Sequence, residues 1–299
     1  MTVWQVVACT VILPGASLIT GFWRPKQTHA VVSSANQAPP KENVMIRTSY
    51  QHGGLNLSYL DTGGAAPVLI AIHSHWMTGF TYAPLAAALA PHWRVVAPDQ
   101  RGHGDSDHAP SYTRDDYLGD LGALYDHLGV DRAVLLGNSL GGVNAYQFAA
   151  RRPERVRALV IEDIGAVVND DQSFVLPWAG TFATREALIE RVGPRMSPYL
   201  EEAVRQTPDG WRLAFEPSDM VASQAEVNGD HWADWLASTC PALLIHGEQS
   251  RVTTAAHLDE MAARRPHTVL CTLPAGHVVH FDDPTGFATV VEAFLTTVA

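Results

Sequence analysis

The stretch Ala133-Val-Leu-Leu-Gly-Asn-Ser-Leu-Gly-Gly142 decides how this chain is read. A short apolar run ends at Gly137, and helix-forming residues begin directly after the serine, from Val143 to about Arg152. An apolar run that stops at glycine predicts a buried strand, and the helix-forming run predicts a helix packed back onto it. Ser139 stands between them in Gly-x-Ser-x-Gly, Gly137 to Gly141. A sharp strand-to-helix turn crowds its neighbours, so glycine flanks the serine where a Cβ would clash. The hydroxyl then stands exposed at the top of a sheet, above the positive end of a helix. That is the setting of a nucleophile.

Outward from this unit the strand–helix rhythm repeats. Met45–Tyr50 and Leu55–Leu60 alternate like a hairpin around His52-Gly53-Gly54. Pro67–His73 is a continuous apolar run, as expected of a strand covered on both faces. Helix Tyr82–Ala90, strand Trp93–Pro98, amphipathic helix Tyr112–Leu128 and strand Val156–Ile161 follow the same pattern. For about seventy residues, 165–238, the alternation stops and gives way to short helices, Arg185–Val192 and Pro198–Gln206, with polar turns. It returns with strand Pro241–His246, helix Thr254–Arg265, strand Thr268–Leu273 and a last helix near Phe287–Val298. Such alternation predicts an α/β fold with a mainly parallel sheet and helices on both faces. Residues 44–164 and 239–299 form the core, and 165–238 a helical cap over the carboxyl edge of the sheet.

Composition limits the partners. The 299 residues are 46% apolar and 17% charged, with a net charge of −11, which argues against nucleic acid and anionic membranes. Three cysteines show no metal-ligand spacing, and Cys240 and Cys271 read as small core residues. Residues 1–43 are an apolar segment and a linker. Residues 3–23 are long enough for an export signal or a membrane anchor. Against this, Pro14 and Gly15 interrupt the run, and the basic Arg24 and Lys26 come after it. Signal, anchor, dispensable extension and upstream mis-start all remain open, with a cytoplasmic location favoured.

A serine hydroxyl needs a base within hydrogen-bond reach, and the base needs an acid to orient it. His277, in Ala275-Gly276-His277 directly after the last strand, opens on the same sheet edge as Ser139. His280 is expected to pack or hydrogen-bond behind it. The acid has two candidate strand ends. One is the loop Gly247-Glu-Gln-Ser-Arg-Val252, where an Asp would usually precede the x-Val pair; Ser250 stands there instead and cannot be charged. The other is the end of Leu159-Val-Ile-Glu-Asp-Ile164. Successive strand residues point to opposite faces, so only one of Glu162 and Asp163 aims at His277. Asp163, nearer the strand tip, is the choice, with Glu162 and Glu248 as alternatives. The oxyanion of an acyl-transfer intermediate needs two N–H donors. Leu140, at the helix start, supplies one, and His75, in the loop after the strand Pro67–His73, supplies the other. The turn Asp99-Gln-Arg-Gly-His-Gly-Asp-Ser106 reads as structural, its polar groups bonding backbone beneath the site.

Together the elbow Gly-Asn-Ser-Leu-Gly-Gly, the turn Asp-Gln-Arg-Gly-His-Gly-Asp-Ser-Asp and the terminal Gly-His resemble the α/β-hydrolase fold superfamily over residues 44–299. The order Ser…Asp…His is that family's order. The chain is similar to its small-capped esterases and amidohydrolases whose acid follows the strand after the elbow helix. That branch includes 2-(acetamidomethylene)succinate hydrolase and the YbfF-type esterases. One departure is His73-Ser74, where the family usually has His-Gly. The resemblance implies a serine hydrolase acting on a small or medium ester, lactone or amide, without cofactor or metal. Carbon–carbon bond hydrolysis, perhydrolase or cofactor-free oxygenase activity on the same triad, and a catalytically silent ligand-binding member, are the other readings. Trp76 and Phe80 beside the oxyanion loop, and Trp178 and Trp211 in the cap, are the candidates for contacting substrate.

Overall fold

The computed structural model describes residues 9–11 and 45–298. The apolar runs form one nine-stranded sheet: β1 Cys9–Val11, β2 Ile46–His52, β3 Leu55–Asp61, β4 Val68–Ile72, β5 Arg94–Pro98, β6 Ala133–Asn138, β7 Val156–Glu162, β8 Ala242–Gly247 and β9 Thr268–Leu273. Their order in space is β1-β9-β8-β7-β6-β4-β5-β3-β2. Strands β5, β4, β6, β7, β8 and β9 pair in parallel, while the hairpin β2–β3 and the edge strand β1 are antiparallel.

Nine helices are described: α1 Ala83–Leu89, α2 Arg114–Leu128, α3 Leu140–Arg151, α4 Arg185–Val192, α5 Pro217–Val227, α6 Trp232–Ala237, α7 Ala255–Arg264, α8 Val279–Asp282 and α9 Pro284–Val298. Alternate strand residues face opposite sides of the sheet, so each strand feeds two cores. Ile70, Leu135, Leu159 and Leu244 pack with α2, α3 and α7 on one face. Leu69, Val134, Leu136, Val160 and Leu243 pack with α1 and α9 on the other. Every residue of β6 and β8 is buried, which is why these strands read as apolar runs up to Gly137 and Ile245. Local signals set the ends of α2. Thr113 accepts from the Asp116 N–H in a capping box, and Gly129 closes the helix with φ +63°, a left-handed cap that glycine adopts without strain.

Residues 165–238 build their own apolar cluster around Val175, Trp178, Leu188, Leu200, Leu213, Phe215 and Met220. The helix expected at Pro198–Gln206 is instead a 3-10 turn, Ser197–Ala203, running into a strand Val204–Thr207 that pairs with Gly210–Leu213. The cause is the turn Thr207-Pro-Asp-Gly210, whose proline and positive-φ glycine (φ +130°) reverse the chain. Of the N-terminal apolar run, only Cys9–Val11 are described, as an edge strand on β9; the rest of the run and the linker lie outside the described residues. Among the described residues no helix is long and apolar enough to cross a membrane.

A close backbone approach is at Gly141, where an added Cβ would stand 2.1 Å from the Ile72 carbonyl oxygen. Gly141→Ala is expected to cost about 1–3 kcal/mol by overpacking, seen as a lower urea midpoint at unchanged slope. Gly122→Ala in α2, whose Cβ would meet nothing nearer than Phe148 at 3.9 Å, is expected to stabilise by about 0.5–1 kcal/mol.

Candidate active site

Parallel pairing brings the loops of the site to one level. Ile72 of β4, Gly137 of β6 and Ile161 of β7 are in register, as are Glu162 with Ile245 and Gly247 with Leu273. The residues just beyond these points leave the sheet along one edge: His73–His75, Ser139, Asp163, the loop after Gly247, and the loop carrying His277. Ser139 has φ +52° and ψ −117°, a conformation that an L residue holds only where its surroundings impose it. Here α3 starts so close to the strands that an added Cβ at Gly137 would lie 2.2 Å from the Gly141 carbonyl oxygen. The Ser139 N–H donates to the Glu162 carbonyl at 3.2 Å. Between residues 133 and 149, Ser139 is the one residue not buried.

Asp163 also lies in the left-handed region, at φ +50°, with its side chain fully buried. Its Oδ2 accepts from His277 Nδ1 at 2.8 Å and from Ser250 Oγ at 2.5 Å. Its Oδ1 accepts from His246 Nδ1 at 2.9 Å and from the Gly247 N–H at 3.0 Å. Burial alone would raise its pKa, but the hydrogen bonds from His246, His277 and Ser250 outweigh burial and hold it at about 2. Bonded through Nδ1, His277 turns Nε2 away from the carboxylate as a proton acceptor.

Glu162 faces the other way and meets a different histidine. His280 Nδ1 lies 2.8 and 2.9 Å from its two oxygens, and the His280 N–H donates to Oε1 at 3.0 Å. His280 Nε2 bonds Thr81 Oγ1 at 2.7 Å, which ties the loop after β4 to the loop after β9. Glu248 is exposed, and among the described residues no hydrogen bond joins its carboxylate to His277.

On the opposite side of Ser139, Leu140 opens α3 and is one of the first-turn residues whose N–H has no intrahelical acceptor. His75 sits in the loop after β4. Its side chain is buried and Nε2 bonds Ser223 Oγ of α5 at 2.9 Å, which in turn bonds the Tyr117 hydroxyl at 2.8 Å. Burial first, then the neighbouring His103, pushes the His75 pKa well down, so the ring is neutral. His73, where the sequence departs from His-Gly, donates from Nδ1 to the Ser74 carbonyl and accepts at Nε2 from the Gln100 N–H at 3.0 Å. Burial holds it neutral as well, with a pKa of about 4. The Asp99–Ser106 turn is structural. The Asp99 carboxylate accepts from the N–H groups of Gly79 and Asp105, and Arg101 forks onto Asp120.

The four residues proposed for substrate contact separate. Trp76, at φ +68°, packs edge-on against Phe174 and Trp178 of the segment 165–238, with centroids 5.6 and 6.0 Å away. Trp178 is buried in the cluster of residues 165–238, and Trp211 packs against that cluster from the hairpin of Val204–Thr207 and Gly210–Leu213. Phe80, in the loop after β4, is 43% exposed. His246 and Ser223 went unread in the sequence. His246 had one visible signal, its place as a polar residue near the end of an apolar strand, level with the acid.

The depressed pKa of Asp163 has a consequence for acid stability. A carboxylate at about 2 when folded and about 3.9 when unfolded stabilises the fold above pH 4, and that stabilisation is lost as pH falls through 2. Asp163→Asn is expected to abolish this stretch of the pH-stability slope, on the order of 2 kcal/mol. Denaturant unfolding at pH 2.5 and pH 5 measures it.

A family model described as the alpha/beta hydrolase fold matches residues 51–284. The chain is 28% identical to the sn-1-specific diacylglycerol lipase ABHD11 of Mus musculus, over 91% of this chain and 97% of that protein. It is 27% identical to the 2-(acetamidomethylene)succinate hydrolase of Mesorhizobium japonicum, over 74% of this chain and 85% of that protein. A crystal structure of E-2-(acetamidomethylene)succinate hydrolase superposes with a TM-score of 0.75 at 24% identity, covering 84% of this chain and 99% of that one. With its parallel sheet, its elbow at Ser139 and a family match over most of its length, the chain belongs to the α/β-hydrolase fold family.

Proposed function

We propose that this hydrolase cleaves a small or medium carboxylic ester, lactone or amide through an acyl-enzyme on Ser139. The observation that carries this reading is the 2.8 Å bond between His277 Nδ1 and Asp163 Oδ2 on the sheet edge where the elbow places Ser139. His277 Nε2 takes the Ser139 proton as Oγ attacks the carbonyl carbon. The anionic Asp163 stabilises the imidazolium that results. The N–H groups of Leu140 and His75 hold the oxyanion, the protonated His277 gives its proton to the leaving group, and water then releases the acyl group.

Relatives named as a diacylglycerol lipase and as a 3-oxoadipate enol-lactonase support ester or lactone chemistry. A relative named as 2-hydroxy-6-oxo-2,4-heptadienoate hydrolase supports carbon–carbon hydrolysis as the second reading. The substrate is a small molecule, since neither the charge balance nor the site favours nucleic acid.

A fluorophosphonate probe should label wild-type protein at Ser139 and leave Ser139→Ala unlabelled. In a screen of short-chain esters, lactones and amides, Asp163→Asn should lose about 10⁴-fold in kcat, while Glu248→Gln stays within about twofold of wild type. Full activity in Asp163→Asn would overturn the assignment of the acid.

A further inference from the structure

The loop after β8 lacks the expected acid, yet it surrounds the acid that stands one strand away. Asp163 accepts four hydrogen bonds, and three of the donors, His246, Gly247 and Ser250, belong to β8 and its loop. We infer that Ser250 and His246 are positioning residues for the acid–base pair, fixing the Asp163 carboxylate in the orientation that His277 needs. This inference rests on the hydrolase reading of Ser139, His277 and Asp163.

The carboxylate offers about four acceptor directions, and the four donors fill them in pairs. His246 Nδ1 and the Gly247 N–H take Oδ1, while Ser250 Oγ and His277 Nδ1 take Oδ2. Rotating the carboxylate would break at least two of these bonds, so the oxygen facing His277 has one place to stand. Ser250 is itself oriented. Its Oγ accepts from the Val252 N–H at 3.1 Å, which directs its own O–H to Asp163. His246 is 5% exposed, and only its Nδ1–H tautomer can donate to a carboxylate. The register that sets Ile245 beside Glu162 carries His246 alongside Asp163.

Without these donors a buried carboxyl at this site would favour its neutral form, and a neutral acid cannot stabilise the imidazolium. A serine at the vacant position therefore serves the displaced acid through its hydroxyl. An aspartate there would place a second negative charge against Asp163.

The test compares Ser250→Ala with Ser250→Thr, and His246→Leu with His246→Asn, whose side-chain N–H can replace that of the ring. Each first variant should react with the fluorophosphonate at Ser139 about 10- to 100-fold more slowly, the loss of one hydrogen bond to a charged group. On the best substrate from the screen, kcat should fall by the same factor with KM within about twofold. Each second variant should recover to within about threefold of wild type. If Ser250→Ala does not fold, Ser250→Cys, a weak donor of similar shape, should show the same slowing. Wild-type protein that is not labelled would overturn the hydrolase reading and this inference with it. A labelled wild type, with Ser250→Ala and His246→Leu reacting at its rate, would overturn the inference alone. So would variants that lose KM and kcat together without rescue.

Discussion

The site depends on how closely α3 approaches the strands beside it. The helix begins immediately after β6, and an added Cβ at Gly137 or Gly141 would stand 2.2 or 2.1 Å from a backbone carbonyl oxygen. Only glycine permits that approach, and the approach forces Ser139 to φ +52°. The turn lifts the serine above an otherwise buried stretch and places the first N–H groups of α3 beneath it. Packing of the sheet against α3 stabilises the strained turn, so the exposure of the serine and the tightness of the core have the same origin.

A second constraint acts on the neighbouring strand end. Glu162 and Asp163 are adjacent and both fully buried, so each must find donors on its own side of the chain. Asp163 meets His277 and His246, and Glu162 meets His280. Two histidines three residues apart are thus each held by one of two consecutive carboxylates. Thr81 extends the Glu162–His280 contact to the loop after β4, while Ser223 and Trp178 join that same loop, through His75 and Trp76, to residues 165–238. The loops carrying His277, Asp163 and His75 are therefore linked by polar contacts as well as by the sheet.

Much of this was legible in the chain. Apolar runs marked the parallel strands to within a residue or two, because strands buried on both faces are mostly apolar throughout. The elbow was legible because its glycines answer a steric demand that few other turns make. The vacancy at Ser250 pointed to the end of β7, Asp163 was chosen over Glu162 as the residue nearer the strand tip, and the geometry pairs Asp163 with His277. The contacts around that pair and around His75 were hidden, since His246 and Ser250 lie 83 and 87 residues from Asp163 and Ser223 lies 148 from His75. No local pattern encodes such pairings. Residues 165–238 were the least legible part: a 3-10 turn and a hairpin replace the expected second helix, and while Trp178, Phe182, Trp211 and Phe215 share one cluster with Trp76, Tyr199, Trp232 and Trp235 pack outward on Phe281, His257 and Tyr146.

The most direct measurement is a crystal structure of the protein after reaction of its nucleophile with a fluorophosphonate. The phosphonyl group should be bonded to Ser139 Oγ, with one oxygen about 2.7–3.1 Å from the N–H groups of Leu140 and His75. His277 should remain on Asp163 through Nδ1. A phosphonyl oxygen that meets neither N–H, or a His277 ring turned to Glu248 or Glu162, would contradict the assignment of the site.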